Sequence, residues 1–407
     1  MLMIKPKQLI PLCGLILLAS LLLNATPQVQ AQPSTFISIS LSGTISSSTT
    51  GVSWLHTSGL YIYDTAGKRV NLYAVNVAYG GGDGISLEDI QKIKTLGFNT
   101  FRLHIYWGLM QPYNESSSGI DQSYFTTSKA PLKSGIDQVI QWARQENMYV
   151  IMTLLWTDTW TPPSWTFSGL TNYDQQYAAL ISGIATRENT GLRNCYNFLA
   201  NRYKDTPNVI FEMMNEPCVL DRSLAGSPYK TFNENLISAI EAAENTSHLK
   251  IIELLNIDPA WEEILDTALD VNNTNVVWAT HSYYPLNNWD PNMSYWHESS
   301  FNWHGQYFPQ GWGNGTEYVA YRLIIIADKI HSWNRPWINT EFSKVVTQTN
   351  WNLWFNTVLT TETENNITGW TLHCYSNNPD NEYDWNINNP TTQQLIMNVI
   401  RQYMIQL

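Results

Sequence analysis

The chain has 407 residues, of which 43% are apolar and only 14% charged, with a formal net charge of −12. That length suits one large domain with a sizeable core, and the charged fraction lies well under the roughly 25% of average soluble proteins. The acidic balance argues against nucleic acid and anionic membrane surfaces as partners, because both favour a cationic face.

Residues 1–31 have the layout of a secretory signal. Lys5 and Lys7 precede an apolar run from Leu9 to Leu23, and Val29-Gln30-Ala31 offers a cleavage site before Gln32. The run is short for a membrane span, so secretion is expected, with an uncleaved N-terminal anchor as the alternative. Residues 32–50, ending Ser46-Ser47-Ser48-Thr49-Thr50, read as a linker, and residues 51–407 as one domain. Sequons at Asn114, Asn245, Asn272, Asn292, Asn314 and Asn366 are compatible with a glycosylated surface. Cys195, Cys218 and Cys374 follow the leader, and a Cys195–Cys218 disulfide is one option in an oxidising compartment. There is no CxxC pair, no HExxH and no clustered His/Cys spacing, so no structural zinc site is expected. A monomer is expected.

Leu60-Tyr61-Ile62-Tyr63, the Gly67-containing turn and Lys68-Arg69-Val70 read as a short N-terminal hairpin that could close one end of a barrel. Strand-like and helix-like stretches then alternate. Asn71 to Val77 is the first candidate strand, and Gly80-Gly81-Gly82 after it reads as a loop. Ser86-Leu87-Glu88-Asp89 has the capping-box pattern of a helix start. Further strands are expected over Asn99 to Trp107 and Tyr149 to Leu155. The fourth is the apolar run from Asn208 that stops at Asn215-Glu216-Pro217. A helix around Phe232 to Ala243 precedes a strand at Lys250 to Leu255. Strands at Asn275 to His281, Trp337 to Glu341 and Ile367 to His373 complete the set, with helices at Glu317 to Trp333 and Thr391 to Met404. Eight strand–helix units imply an α/β protein with a parallel sheet closed as a (β/α)8 TIM barrel; a doubly wound open sheet is the competing architecture.

In such a barrel the C-terminal strand ends carry the chemistry. Pro217 biases Glu216 away from helical angles, so Glu216 is expected to be extended at the rim. Desolvation there would suit a general acid. Arg102 among apolar neighbours needs a carboxylate partner. His281-Ser282-Tyr283 and Asn339-Thr340-Glu341 end later strands, so Glu216 and Glu341 face one site with Arg102, Asn215, His281 and Tyr283 around them. A carboxyl pair of this kind is the apparatus of glycoside hydrolysis. The 18 Trp and 22 Tyr offer flat apolar faces suited to pyranose rings, although most such residues pack in cores or loops.

The ordered set Asn99-Thr100-Phe101-Arg102-Leu103 with Trp107, Asn215-Glu216-Pro217, His281-Ser282-Tyr283 and Trp337-Ile338-Asn339-Thr340-Glu341-Phe342 resembles glycoside hydrolase family 5, over about residues 55 to 405. The resemblance implies a retaining enzyme with Glu216 as acid/base and Glu341 as nucleophile. It further implies that Asn215 bonds the sugar 2-hydroxyl, that Arg102 and Tyr283 hold Glu341, and that His281 touches the acid/base region. Its polymer substrate is a β-1,4-glucan, with β-mannan as the alternative. A catalytically silent sugar-binding surface protein is the alternative of another class. Two departures stand out. The third strand ends without the usual His, and Trp156 is expected to take over its function. The eighth has Trp370 early and Leu372-His373-Cys374-Tyr375 at its end, so either Trp370 or Tyr375 forms the sugar platform. Trp107, Trp156, Trp160, Trp370 and Tyr375 are therefore the expected substrate-binding aromatics.

Overall fold

A computed structural model describes residues 51–77, 85–110, 120–127, 134–155, 170, 172–244, 246–257, 262–283, 301–303, 306–308, 316–343, 351–375 and 387–404. The leader and linker expectations fall outside these residues. Among the described residues no helix is long and apolar enough to cross a membrane.

Eight parallel strands close into a barrel. In chain order they are β1 (Leu72–Val77), β2 (Thr100–Tyr106), β3 (Tyr149–Leu155), β4 (Val209–Glu212), β5 (Lys250–Glu253), β6 (Val276–Tyr283), β7 (Trp337–Ser343) and β8 (Gly369–Tyr375). Each pairs with its sequence neighbours, and β8 closes on β1 with Gly369 opposite Leu72. The alternation read from the sequence therefore closes as a TIM barrel.

Two packed layers follow from the period of two along each strand. Tyr149 and Ile151, Ile210, Leu249 and Ile251, Val277 and Ala279, and Ile338 form one apolar cluster. These alternate positions fill the lower barrel interior. Their neighbours, including Val150, Phe211, Ile252 and Trp278, belong to the larger cluster under the helices. The helix Ile136–Gln145 shows why the outer layer forms: Ile136, Val139, Ile140 and Ala143 are buried at helical spacing. The helix Leu87–Thr95 starts at the expected capping box, with Ser86 and Asp89 bonded reciprocally.

The N-terminal hairpin differs from the expected one. Tyr61–Asp64 pairs antiparallel with the preceding Leu55–Ser58, while the expected partner contributes one bridge, Tyr63 to Arg69. The turn falls at Gly59, whose φ of 56° suits a residue without Cβ. Leu55 and Ile62 join the interior cluster, so the hairpin does plug the barrel.

The connection from β5 to β6 is also different. Its described residues are not helical. Asn256–Ile257 instead joins Glu262–Glu263 and Cys218–Val219 in a small three-stranded sheet. The backbone N–H of Asn256 donates to the Pro217 carbonyl at 2.9 Å, tying the exit of β4 to that of β5. Cys195 and Cys218 are buried and not joined; no disulfide links Cys195, Cys218 or Cys374.

Candidate active site

Above the apolar interior sits a polar layer supplied by the upper ends of the strands: Asn76, Arg102, His104, Glu212, Glu253, His281, Glu341 and His373. Arg102 is its hub and is fully buried. Its guanidinium reaches Glu212 at 2.5 Å, Glu341 at 2.9 Å and Glu253 at 3.1 Å. It also donates to Asn215 Oδ1 at 2.8 Å and to His104 Nε2 at 2.9 Å. The expected carboxylate partner is thus three carboxyls, which share the donor fork of one buried guanidinium. Burial opposes the Arg102 charge, but Glu212, Glu341 and Glu253 outweigh it and raise its pKa. His104, buried and beside Arg102, is held well below the usual imidazole range, as an acceptor toward that cation must be.

Glu341 is gripped from several sides. Tyr283 donates its hydroxyl to Oε1, His373 Nδ1 lies 3.1 Å from the same oxygen, and Arg102 donates to Oε2. Burial alone would push this carboxyl up. His373, His281 and Arg102 together hold it well below the usual carboxylate range. Arg102 is the permanent charge among them. Tyr283 is pushed up by burial and by Glu341, so it remains a neutral phenol that can donate.

Glu216 is not extended. Its φ is 47°, in the left-handed region. Pro217 disfavours the right-handed helical region, and here the chain takes the left-handed turn instead. The Glu216 N–H donates to Glu253 Oε2 at 2.9 Å, which holds that turn. The side chain is 30% exposed, so it is not enclosed in the apolar surround expected from the sequence. Its Oε1 lies 3.0 Å from His281 Nδ1.

His281 bridges the two halves of the site. Its Nε2 lies 3.1 Å from Glu253, and Nδ1 lies 3.9 Å from Glu341. Burial would lower its pKa, yet Glu253, Glu341 and the hydrogen bond to Glu216 raise it well above the ordinary value. Glu253 is pushed up to about 7 by burial, opposed by His281 and Arg102.

Where β4 and β5 stop, carbonyls lose their ladder partners. Tyrosines from the surrounding helices meet them. Tyr196 of the helix Thr186–Tyr203 donates to the carbonyls of Glu212 and Met213, Tyr177 of Tyr173–Ile181 to that of Asn215, and Tyr229 of Ser227–Glu241 to that of Glu253. β6 is secured from outside the barrel. Thr280 donates to Glu263, which pairs with Arg322 of the helix Thr316–Ser332, and Arg322 donates to the His281 carbonyl at 3.0 Å.

The aromatic expectations fare differently. Trp107, Trp370 and Tyr375 are buried and present no face to a ligand. Trp370 packs against Tyr73, Phe98 and Phe342, and the Tyr375 hydroxyl donates to Asp89. The side chain that β8 brings to the site is His373, and the His373–Cys374 peptide bond is cis. Trp156 and Trp160 lie outside the described residues.

Glu212, Glu253, His104 and His373 were missed as site residues. His104 stands two positions from Arg102 on the same strand face, and Glu212 two from Ile210, so strand alternation was the available signal. By spacing, Glu212, Glu253 and His281, or Glu216, His281 and Glu341, could hold a cation. Arg102 and His281 already supply positive charge to these same carboxyls.

A family model described as cellulase (glycosyl hydrolase family 5) matches residues 63–390. The chain is similar to endoglucanase B of Clostridium cellulovorans, 26% identical over 207 residues, covering 48% of this chain and 41% of that protein. It is also similar to endoglucanase B of Paenibacillus lautus, 23% identical over 214 residues, covering 50% and 33%. The matched segment thus spans less than half the length of either relative. A structure of Thermotoga maritima Cel5A with cellobiose aligns with a TM-score of 0.58 at 14% identity, covering 83% of this chain and 98% of that one, and the same protein was solved with mannotriose. At that identity the likeness speaks for the fold. The family match takes in Arg102, Glu216, His281 and Glu341, and the chain belongs to glycosyl hydrolase family 5.

Proposed function

We propose that the protein is a secreted, endo-acting retaining glycoside hydrolase of β-1,4-glucan, with Glu341 as nucleophile and Glu216 as acid/base. One observation carries this reading. An oxygen of Glu216 and an oxygen of Glu341 lie within 4.8 Å of each other, with His281 between them. That closeness suits direct attack, for which carboxyl groups stand about 5 Å apart, better than the wider gap of a water-activating pair.

In the first step a Glu341 oxygen bonds to the anomeric carbon as the glycosidic bond breaks. The departing oxygen takes the Glu216 proton. In the second, Glu216 removes a proton from water, the hydroxyl bonds to the anomeric carbon, and Glu341 leaves as carboxylate. Arg102 and Tyr283 keep Glu341 ionised and aimed, and Asn215, itself fixed by Arg102, faces the sugar 2-hydroxyl. No cofactor enters these steps. The family name and the cellobiose complex of the Thermotoga protein support glucan; its mannotriose complex keeps β-mannan as the second reading.

Reducing ends released from carboxymethylcellulose, mixed-linkage glucan, mannan and xylan test this, with wild type beside Glu216→Gln and Glu341→Gln. Cleavage of glucan by wild type and silence of both variants is the expected result. Preferred cleavage of mannan would reassign the substrate. Binding without cleavage by wild type would move a sugar-binding role to the front.

A further inference from the structure

We propose that Glu253 is a positioning residue for the acid/base carboxyl, acting on Glu216 through its backbone N–H and through His281. The inference rests on the reading of Glu216 given above.

The geometry divides the two oxygens of Glu253 between two tasks. Oε2 accepts the Glu216 N–H at 2.9 Å. Oε1 lies 3.1 Å from His281 Nε2, whose other ring nitrogen lies 3.0 Å from Glu216 Oε1. One carboxyl therefore reaches the same residue twice, by a hydrogen bond to its main chain and by an ion pair with the imidazole beside its side chain. Glu253 itself is fixed: it is 2% exposed, Arg102 donates to Oε1 at 3.1 Å, and Tyr229 donates to its carbonyl at 2.7 Å.

A counter-ion for Arg102 alone would not need this arrangement, since Glu212 and Glu341 already meet the guanidinium. Nor would it need to contact a residue held at φ 47°. Left-handed backbone is unfavourable for a residue with a Cβ and persists only when its surroundings enforce it. Glu253 supplies that enforcement at the residue where the proton is handled.

The electrostatics point the same way. His281 faces Glu216, Glu253 and Glu341; Glu253 faces His281, Arg102 and Glu212. Despite burial, Glu253 and Glu341 raise the His281 pKa well above the ordinary value, which favours the charged imidazolium as donor beside Glu216. That donor stabilises the carboxylate left when Glu216 gives up its proton, and so lowers the barrier to protonating the leaving oxygen.

Aryl β-cellobiosides of graded leaving-group acidity separate this role from a structural one. A 2,4-dinitrophenolate leaves without a proton, whereas a phenolate with a high pKa needs one. For Glu253→Gln, kcat/KM on the poor leaving group should fall by about 10²-fold, while the dinitrophenyl substrate should change little. The ratio of the two rates within one preparation is independent of how much of the chain is folded. An equal fall on both substrates, or no change on either, overturns the proposal. Glu216→Ala serves as the control. If that variant fails to discriminate between leaving groups, the acid/base assignment itself is wrong, and that result is distinct from a failure confined to Glu253.

Discussion

His281 and Glu341 are Cα partners across β6 and β7, one step after the pairing shifts register between Thr280 and His281. Below the shift Asn339 faces Thr280; above it Glu341 faces His281, and Thr340 is the extra residue. Asn339 points outward, where its amide donates to Glu362 of the helix Trp351–Glu364 at 2.5 Å. Strict alternation would send Glu341 to that same outer face. The bulge turns it into the barrel, and the Asn339 side chain accepts the Glu341 N–H at 3.3 Å at the break.

Tyr283→Phe removes one donor from Glu341 and leaves the ring in place. If the hydroxyl acts on the nucleophile, kcat should fall by about 10²-fold with KM little changed. Steady-state kinetics on a soluble glucan checks this. A rise in KM at constant kcat would place Tyr283 in substrate binding instead.

Arg102→Met leaves Glu212, Glu253 and Glu341 facing one another without their guanidinium. A loss of about 3–5 kcal/mol in unfolding free energy is expected at neutral pH. The loss should shrink toward about pH 4, where protonation relieves the buried charges. Urea titrations at several pH values measure both effects, and a loss independent of pH would count against the electrostatic account.

Glu362 is fully buried, and burial pushes its carboxyl up to about 8, opposed only by the Asn339 hydrogen bond. Its folded value lies above its unfolded one, so the native state holds the proton longer. The contribution is therefore complete below about pH 4.5 and is lost as pH rises toward 8. Glu362→Gln cannot ionise. Relative to wild type it should gain stability steadily from acid to mildly alkaline pH, by a few kcal/mol across that window. Melting temperatures of the two proteins from pH 4.5 to 8 should diverge; parallel curves would sink the idea.

Gly369 begins β8, where a Cβ would lie 2.2 Å from the Leu72 carbonyl oxygen. No side-chain rotation relieves a clash with backbone. Gly369→Ala should force β8 away from β1 and cost about 3 kcal/mol or more. Amide exchange should quicken first at the β1–β8 seam; uniform protection there would argue against it.

The strand order and the two glutamates at the ends of β4 and β7 were legible because apolar runs stop abruptly at polar residues. The buried partners were harder to see. Glu253 sits in Lys250-Ile251-Ile252-Glu253-Leu254-Leu255, where an isolated carboxyl among apolar neighbours gives no hint of which strand supplies its cation. The left-handed Glu216 was not legible either. Proline excludes one region of backbone space without choosing between the others, and the acceptor that meets the Glu216 N–H is Glu253, 37 residues later. The burial of Trp370 and Tyr375 was hidden for a different reason. Trp370 and Tyr375 have the chemistry of a sugar platform, but a strand end can turn such rings toward helices as readily as toward a cleft, and packing around Phe342 and Asp89 decides.

Asn76 on β1 and His373 on β8 lie 297 residues apart and come within 3.3 Å at the site. Their meeting requires the ring to be complete. No fragment lacking either end of the barrel can assemble the surroundings of Glu341, and a growing chain has no working site until its last strand docks beside its first. On the proposed activity, catalytic turnover therefore doubles as a gauge of ring closure. In a population of partly opened molecules it vanishes with detachment of a single terminal strand, while most of the helical and strand signal persists.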